Sequence, residues 1–550
     1  MKRLGIILLL TCSMIGIWAN PLSKIYLHDD PILKSIELLS IEAGIVPQHT
    51  ELPTTGYALV KHLDKIEGKR LSPKSRELLE DIQELLLNHH SSFPTQLKIT
   101  FNPEIYANQQ QEAKSQDWEY GYNERPPILH AQVESIFADR VYGIFSYGIA
   151  RTESKMDFSG IETNFPYPAG STSETNLQNS YPHTAFLGIS GDRFSIIAGR
   201  DTLSWGRGNS GNLVLGDHVP YHDFFQFSLH NEKLKYSFLT IPMNELDAQG
   251  KAIVPSKANT DTLFLGTLQR LFVAHLLSID VTPRLRLTIG EGALFYSDKL
   301  DLRMFSPVMF IHNLQNFSEV NNTMHLEVEY ALSSTWSLYA QFLMDQMQTK
   351  GEQEQTELPP NAYGGLLGAD FVKILPSGRI SGYIEGVYTS PFLYLRTGDD
   401  TGIYDVPELD QHNLDLVHAV SMRNAESGTA WLGYQYGPDT IVGSFNLRFD
   451  HDNNFGASGT LRFIAQGERG LEMYGKKQYV ELVPAEDLNL LAPSGDNIDY
   501  FLIPSIYSYM VLPGTDINVY NTLFFVNKWN NSGYTFDLQM VIGLSYSLTF

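Results

Sequence analysis

Residues 534–550 read YTFDLQMVIGLSYSLTF and alternate without a break. Tyr534, Phe536, Leu538, Met540, Ile542, Leu544, Tyr546, Leu548 and Phe550 fall on one face. Thr535, Asp537, Gln539, Val541, Gly543, Ser545, Ser547 and Thr549 fall on the other. A period of two marks a strand with one apolar face and one that is mostly polar or small. Strands of soluble proteins usually run about 5–6 residues. This one is long enough to cross a bilayer, and aromatics stand at both ends of its apolar face, as the girdles of a membrane barrel require. Phe550 then ends the chain on an aromatic residue, the mark by which barrel assembly machinery is expected to take up the protein.

The other end of the sequence fits an exported protein. Met1-Lys2-Arg3 and the apolar run Leu4–Trp18 read as a signal peptide over residues 1–19, with cleavage expected after Ala19. Cys12 leaves a lipid-anchor alternative, against which Thr11 and the shortness of the run both speak. Cleavage at Ala19 removes the chain's 1 cysteine, and with it disulfides, thiolate metal sites and cysteine nucleophiles. No later run of about 20 apolar residues follows, so a periplasmic protein or a membrane β-barrel remains. Aromatics at 12% and 43 glycines suit a barrel, and a net charge of −23 argues against nucleic acid as a partner.

Residues 20–93 carry a helical period. Asp30 can cap a helix that opens on Pro31, carries Ile32, Leu33, Ile36, Leu39 and Ala43 inward, and stops at Gly44. A second helix is predicted over 56–67, and Ser72-Pro73 opens a third through Leu86. This small bundle belongs on the periplasmic side of a barrel formed by residues 94–550. From Thr95 the period changes to two, with predicted strands at 95–107, 127–137, 140–151, 182–190, 193–200, 284–296, 323–331, 336–345, 379–389, 441–449, 456–466 and 516–527. Tight turns such as Gly191-Asp192 and Pro513-Gly514 alternate with long polar stretches, the pattern of periplasmic turns and surface loops. Counting in this way gives about twenty strands. The fold class is therefore all-β: a transmembrane antiparallel barrel with a small N-terminal helical bundle.

Residues 201–223, DTLSWGRGNSGNLVLGDHVPYHD, form the most unusual loop. Its glycines lack the Lys-Ser/Thr and helix start of a nucleotide loop. Trp205, Arg207, Asn209, His218, Tyr221 and His222 suit sugars: an aromatic face stacks on a pyranose, and Arg and Asn bond hydroxyls or a carboxylate. The alternative is a loop folded into the lumen as a constriction whose polar groups satisfy one another. Asp450–Asn454 resembles a calcium loop only superficially, since its twelfth position is Leu461 where a glutamate is needed. Asp399, Asp400 and Asp405 are the better place for that ion, yet no cofactor or metal is expected. His222-Asp223 invites a hydrolase reading, but strand geometry sends adjacent side chains to opposite faces, so no enzyme is expected.

Several stretches together resemble the capsule-assembly Wzi family of outer-membrane proteins. They are Leu38-Leu39 through Ala43-Gly44-Ile45, then Ile197-Ala198-Gly199-Arg200 leading to Ser204-Trp205-Gly206-Arg207-Gly208. Gly290-Glu291, Ser306-Pro307, Asn321-Asn322-Thr323 and Leu338-Tyr339-Ala340-Gln341-Phe342 with Asp345 follow in the family's order. The resemblance implies a barrel of about eighteen strands sealed by its helices, and a lectin-like role in retaining capsular or surface polysaccharide. One lumen-folded loop read as two strands would reconcile that number with the count of about twenty. A porin or nutrient-uptake channel is the rival function.

Overall fold

The computed structural model describes residues 20–550 apart from 89–94, 110–118, 121–124, 152–160, 166–176, 181–182, 245, 247–268, 298–301, 307–319, 349–359, 396–413, 422–426, 453 and 471–487. The expected signal peptide with Cys12, the acidic stretch 352–357 and Asp399, Asp400 and Asp405 lie outside the described residues.

Eighteen antiparallel strands close into one barrel. The first four are β1 (Thr95–Phe101, resuming as Glu104–Asn108), β2 (Leu129–Ala138), β3 (Val141–Arg151) and β4 (Leu177–Ser180, resuming as Ala185–Gly191). Next come β5 (Phe194–Asp201), β6 (His222–His230), β7 (Leu234–Met243), β8 (Gln269–Thr282) and β9 (Leu285–Ser297). They are followed by β10 (Val320–Ala331), β11 (Trp336–Gln346), β12 (Ala362–Leu375), β13 (Gly378–Thr389) and β14 (Thr440–His451). The last are β15 (Phe455–Gln466), β16 (Asp499–Val511), β17 (Ile517–Asn530) and β18 (Gly533–Thr549). β18 closes the sheet on β1, with Tyr546 opposite Phe101 and Ile542 opposite Ile105. Leu97 and Phe550 exchange backbone hydrogen bonds of 3.0 and 2.9 Å at the seam. The break in β1 falls at Asn102-Pro103, where proline has no ladder donor to give.

The alternation read in β18 holds around the wall. Leu187, Leu367 and Ile384 are 60%, 68% and 56% exposed on its outer face, while Gln539 and Val541 are 0% and 2% exposed on the inner one. Water does not favour such an apolar exterior, and lipid does. Rings gather at its two rims. Trp336 and Phe371 lie 5.3 Å apart at the end with short turns, and Tyr500 stacks on Trp529 at 5.8 Å at the end with long loops.

Two further strands, Val417–Ser421 and Ser427–Trp431, pair only with each other. This hairpin lies inside the barrel: Arg270 on β8 donates to the carbonyls of Asp415 and Val417 at 2.8 and 3.0 Å. The wall thus has fewer strands than the count of about twenty read from the sequence, and this pair stands outside it.

Three helices precede the barrel: α1 (Pro31–Ala43), α2 (Gly56–Glu67) and α3 (Pro73–Asn88). Asp30 caps α1 by accepting the Ile32 N–H at 3.1 Å, and Gly44 ends it at φ 69°. Ile36, Leu39, Leu59, Leu63, Ile66 and Ile82 share one buried cluster between the helices. Contacts with the wall place them at the turn end. Val46 N–H donates to Pro283 at 3.0 Å, Ser23 Oγ to the Asp139 carbonyl at 2.7 Å, and Lys61 pairs with Asp192 at 2.9 Å. Leu38 and Ile41 pack on Val372 of β12. Among the described residues no helix is long and apolar enough to cross a membrane.

Ile36 is 0% exposed inside that helical cluster and away from the wall ladder. Ile36→Ala should destabilise the helices by about 2–5 kcal/mol and leave the barrel closed. Faster amide exchange in residues 31–88 with an unchanged heat-dependent gel shift of the barrel is the expected pair of results.

Candidate lumenal site

After Asp201 the chain turns into the lumen instead of outward. Ser204 bridges to Leu52 of the segment joining α1 to α2, and Trp205 bridges to Leu215 across the loop itself. Facing this loop, the inner wall presents four buried carboxylates: Glu327 and Glu329 on β10, Asp370 on β12 and Glu385 on β13. A buried carboxylate without a partner is costly, and the loop supplies the partners.

Arg207 is the centre of that supply. Its guanidinium reaches Glu37 of α1 at 3.1 Å, Asp370 at 2.8 Å and Glu329 at 3.9 Å, and its backbone N–H donates to Glu327 at 2.8 Å. Asn209 donates its amide to Asp370 and to the Tyr339 hydroxyl, both at 2.8 Å, and its N–H to Glu385 at 2.8 Å. The Ser210 N–H takes the other Glu385 oxygen at 2.9 Å. One guanidinium thus joins a helix, an inward loop and two wall strands.

The return of the loop sits elsewhere. His218 Nε2 meets the Trp431 carbonyl of the inner hairpin at 2.8 Å. Tyr221 lies under the Arg200 guanidinium at 4.1 Å. His222 is 0% exposed, its ring 4.9 Å from that of His418 on the hairpin. Trp205 is fully buried in the lumenal core. The six residues singled out in the sequence therefore divide into two groups: Trp205, Arg207 and Asn209 lie toward the helices and the acidic wall, His218, Tyr221 and His222 against the hairpin. His222 and Asp223 form no dyad, because Asp223 faces away and takes the outer Arg200 guanidinium through two contacts of 2.8 Å.

Sequence reasoning missed the acidic half of this site. Glu37, Asp370 and Glu385 look like ordinary polar positions of a helix and of alternating strands. The usable signal was that Glu327 and Glu329 recur at period two on a face that cannot all be open to water. Arg286 forms interior ion pairs with Asp280 at 2.7 Å and Glu329 at 3.1 Å. Asp450 and His451 end β14 and Asp452 and Asn454 lie in the turn after it; the Asp450 carboxylate is held by Arg448 at 2.8 Å and Tyr509 at 2.9 Å. Among the described residues no group of three or more His, Cys, Asp or Glu is placed to hold a metal ion.

The electrostatics follow the same geometry. Burial alone would raise the Glu37 carboxyl, but Arg207 and Lys34 outweigh it and hold the group well below the usual carboxylate range. Between α2 and the wall lies a cavity of about 30 Å³, lined by His49, His62, His230, Lys61, Lys65 and Lys235, room for about one water. Burial, then Lys65 and Arg286, push His62 down to about 3. His49 is pushed well below its ordinary value by burial and by Arg286, Lys235 and Lys65.

A closed barrel with an apolar outer wall and a polar, occupied lumen defines an outer-membrane protein, and the chain is one. No protein-family model and no curated protein matches its sequence. Among solved structures it is similar to Escherichia coli Wzi, described as a carbohydrate-binding β-barrel involved in group 1 capsule assembly. That match has a TM-score of 0.57 and 13% identity over 95% of this chain and 98% of the other. Acinetobacter baumannii OccAB4 matches with a TM-score of 0.41 and 9% identity over 84% and 100% of the two chains. Pseudomonas aeruginosa OprD matches at 0.39 and 9% over 83% and 95%. These likenesses concern the fold.

Arg207→Ala takes from Glu37, Asp370 and Glu329 the one guanidinium they share, a loss of up to about 3–5 kcal/mol for a buried pair broken on one side. Amide exchange should quicken in both α1 and the loop 202–221. A change confined to the loop would contradict the three-way junction. Acid should act on the helices as well. His62 takes a proton at 6.5 when unfolded but only near 3 when folded, so the folded state binds fewer protons and loses stability as pH falls through that window. Thermal unfolding of the helical part should shift downward between pH about 7 and about 4, and His62→Gln should flatten that dependence.

Proposed function

We propose that this protein is a non-enzymatic outer-membrane barrel that binds capsular or other surface polysaccharide and retains it at the cell surface. The observation that carries the reading is the occupied lumen. Helices, inward loop and hairpin are tied to the wall by buried ion pairs, an arrangement suited to a fixed scaffold. The likeness to a carbohydrate-binding barrel over nearly the whole chain supports the same reading.

In this proposal residues 1–19 are a signal peptide, 20–93 a periplasmic plug and 94–550 the barrel. Membrane lipid surrounds the wall, and Phe550 is the contact for the assembly machinery. Loops at the long-loop end meet the polymer. Asn209 and His218 are only partly buried and are the proposed contacts to the sugar, while Trp205, Arg207, Tyr221 and His222 set the shape of the loop around them.

One observation favours the rival channel: toward the turn end the inner faces of β14 to β17 are half-buried, not sealed. The experiment that separates the two compares cell-bound with shed polysaccharide after deletion of the gene. Polymer made in normal amount but released into the medium is the expected result. An unchanged ratio, with slower uptake of small solutes, would favour the channel.

A further inference from the structure

The plug fills the lumen unevenly. Inner positions at the loop end of β15 and β16 are buried, with Ile464 at 3% and Ile503 at 4%. Toward the turn end the inner residues Arg448, Ser458, Thr460, Ser505, Tyr507 and Tyr509 are only half-buried. A polar roof separates the two zones. Arg462 donates to the Tyr436 hydroxyl at 2.9 Å and pairs with Glu119, whose N–H donates to Gln539 at 2.8 Å. Below it lies a half-buried wall that no helix covers among the described residues.

That wall is built of rings laid flat. Gly456 faces Tyr509 across the ladder, and a Cβ there would sit 2.6 Å from Tyr509 Cε1. Gly543 faces Tyr520, and its Cβ would sit 2.2 Å from Tyr520 Cζ. Each ring can therefore lie over its neighbour strand only because that neighbour is glycine. The hydroxyls are pinned, Tyr509 to Asp450 at 2.9 Å and Tyr520 to Glu104 at 2.6 Å. Tyr507 adds a third ring, 6.0 Å from Tyr509 and 6.5 Å from Tyr520. Beside this platform two guanidinia share one carboxylate: Arg448 and Arg379 meet Asp450 at 2.8 and 3.3 Å. Arg379 Nε and Asn518 Oδ1 are buried with no hydrogen-bond partner.

From this platform we infer a second glycan site, on the inner wall at the turn end, that takes a segment of an acidic polysaccharide. Tyr509 and Tyr520 stack on the apolar faces of consecutive sugars, their geometry fixed before the ligand arrives. Arg379 and Arg448, with one positive charge in excess over Asp450, take a uronate carboxylate through planar paired donors. Asn518 accepts a sugar hydroxyl. The inference rests on the polysaccharide reading and adds to it a place and a ligand class.

The test is titration of the purified full-length protein in detergent with oligogalacturonate, and with maltodextrin of equal length as the neutral probe. Oligogalacturonate should bind more tightly. Tyr509→Leu, Tyr520→Leu and Arg448→Gln should each weaken it about tenfold, while Tyr509→Phe, which keeps the ring, stays close to the parent. A heat-dependent gel shift confirms that each barrel is folded. Variants that bind as the parent does, or a parent that binds neither probe or both alike, would overturn the inner site. The polysaccharide reading is judged separately by the shedding ratio, so the two can fail independently.

Discussion

Buried carboxylates on the inner wall set the terms for everything else in this molecule. A barrel of this size encloses a lumen too wide for wall side chains to fill, and part of its inner face carries Glu327, Glu329, Asp370 and Glu385 away from water. Each needs a donor held in place. Arg207 and the neighbouring backbone N–H groups provide them from a loop that would otherwise have projected outward. The same guanidinium reaches Glu37, so the docking of α1, the course of the loop and the charge balance of the wall are one problem with one solution. The stability of such a junction comes less from the attraction within each pair than from the cost of separating any one member.

The wall was legible in the sequence because lipid imposes a strict rule on it. Alternation in β18, β15 and β9 follows from one face meeting hydrocarbon, and no tertiary detail alters it. The helices were legible for a related reason: Asp30, Pro31 and Gly44 mark the ends of α1, and its apolar stripe needs only a partner. What could not be read was the interior. The hairpin at 417–431 has the same period as a membrane strand, and only its pairing partners show that it left the wall. Arg207 and Asn209 looked like ligands because sugars and buried carboxylates ask for the same donors. Their partners lie on β12, β13 and α1, far off in the chain, and no local spacing announces them. Tyr509 and Tyr520 were passed over for the opposite reason. An inward tyrosine on a strand is ordinary until the facing glycines, Gly456 and Gly543, are known.

Function emerges from the contrast between the two halves of the lumen. One half is occupied by helices, loop and hairpin and locked by ion pairs. The other is roofed by Arg462, Tyr436 and Glu119 and, among the described residues, is not floored by the helices. A fixed scaffold with rigid aromatic surfaces suits a polymer that must be held, since preorganised strands lose little freedom on binding. A solute channel would have to run along the other half of the lumen, past the roof of Arg462, Tyr436 and Glu119.

Single-channel recording of the purified protein in a planar bilayer therefore addresses the central point most directly. A plug locked through Arg207 and Glu37 predicts no steady conductance in the unaltered chain, and openings once Arg207 is replaced. A large, stable conductance in the unaltered protein would contradict it and make solute passage the function of the barrel.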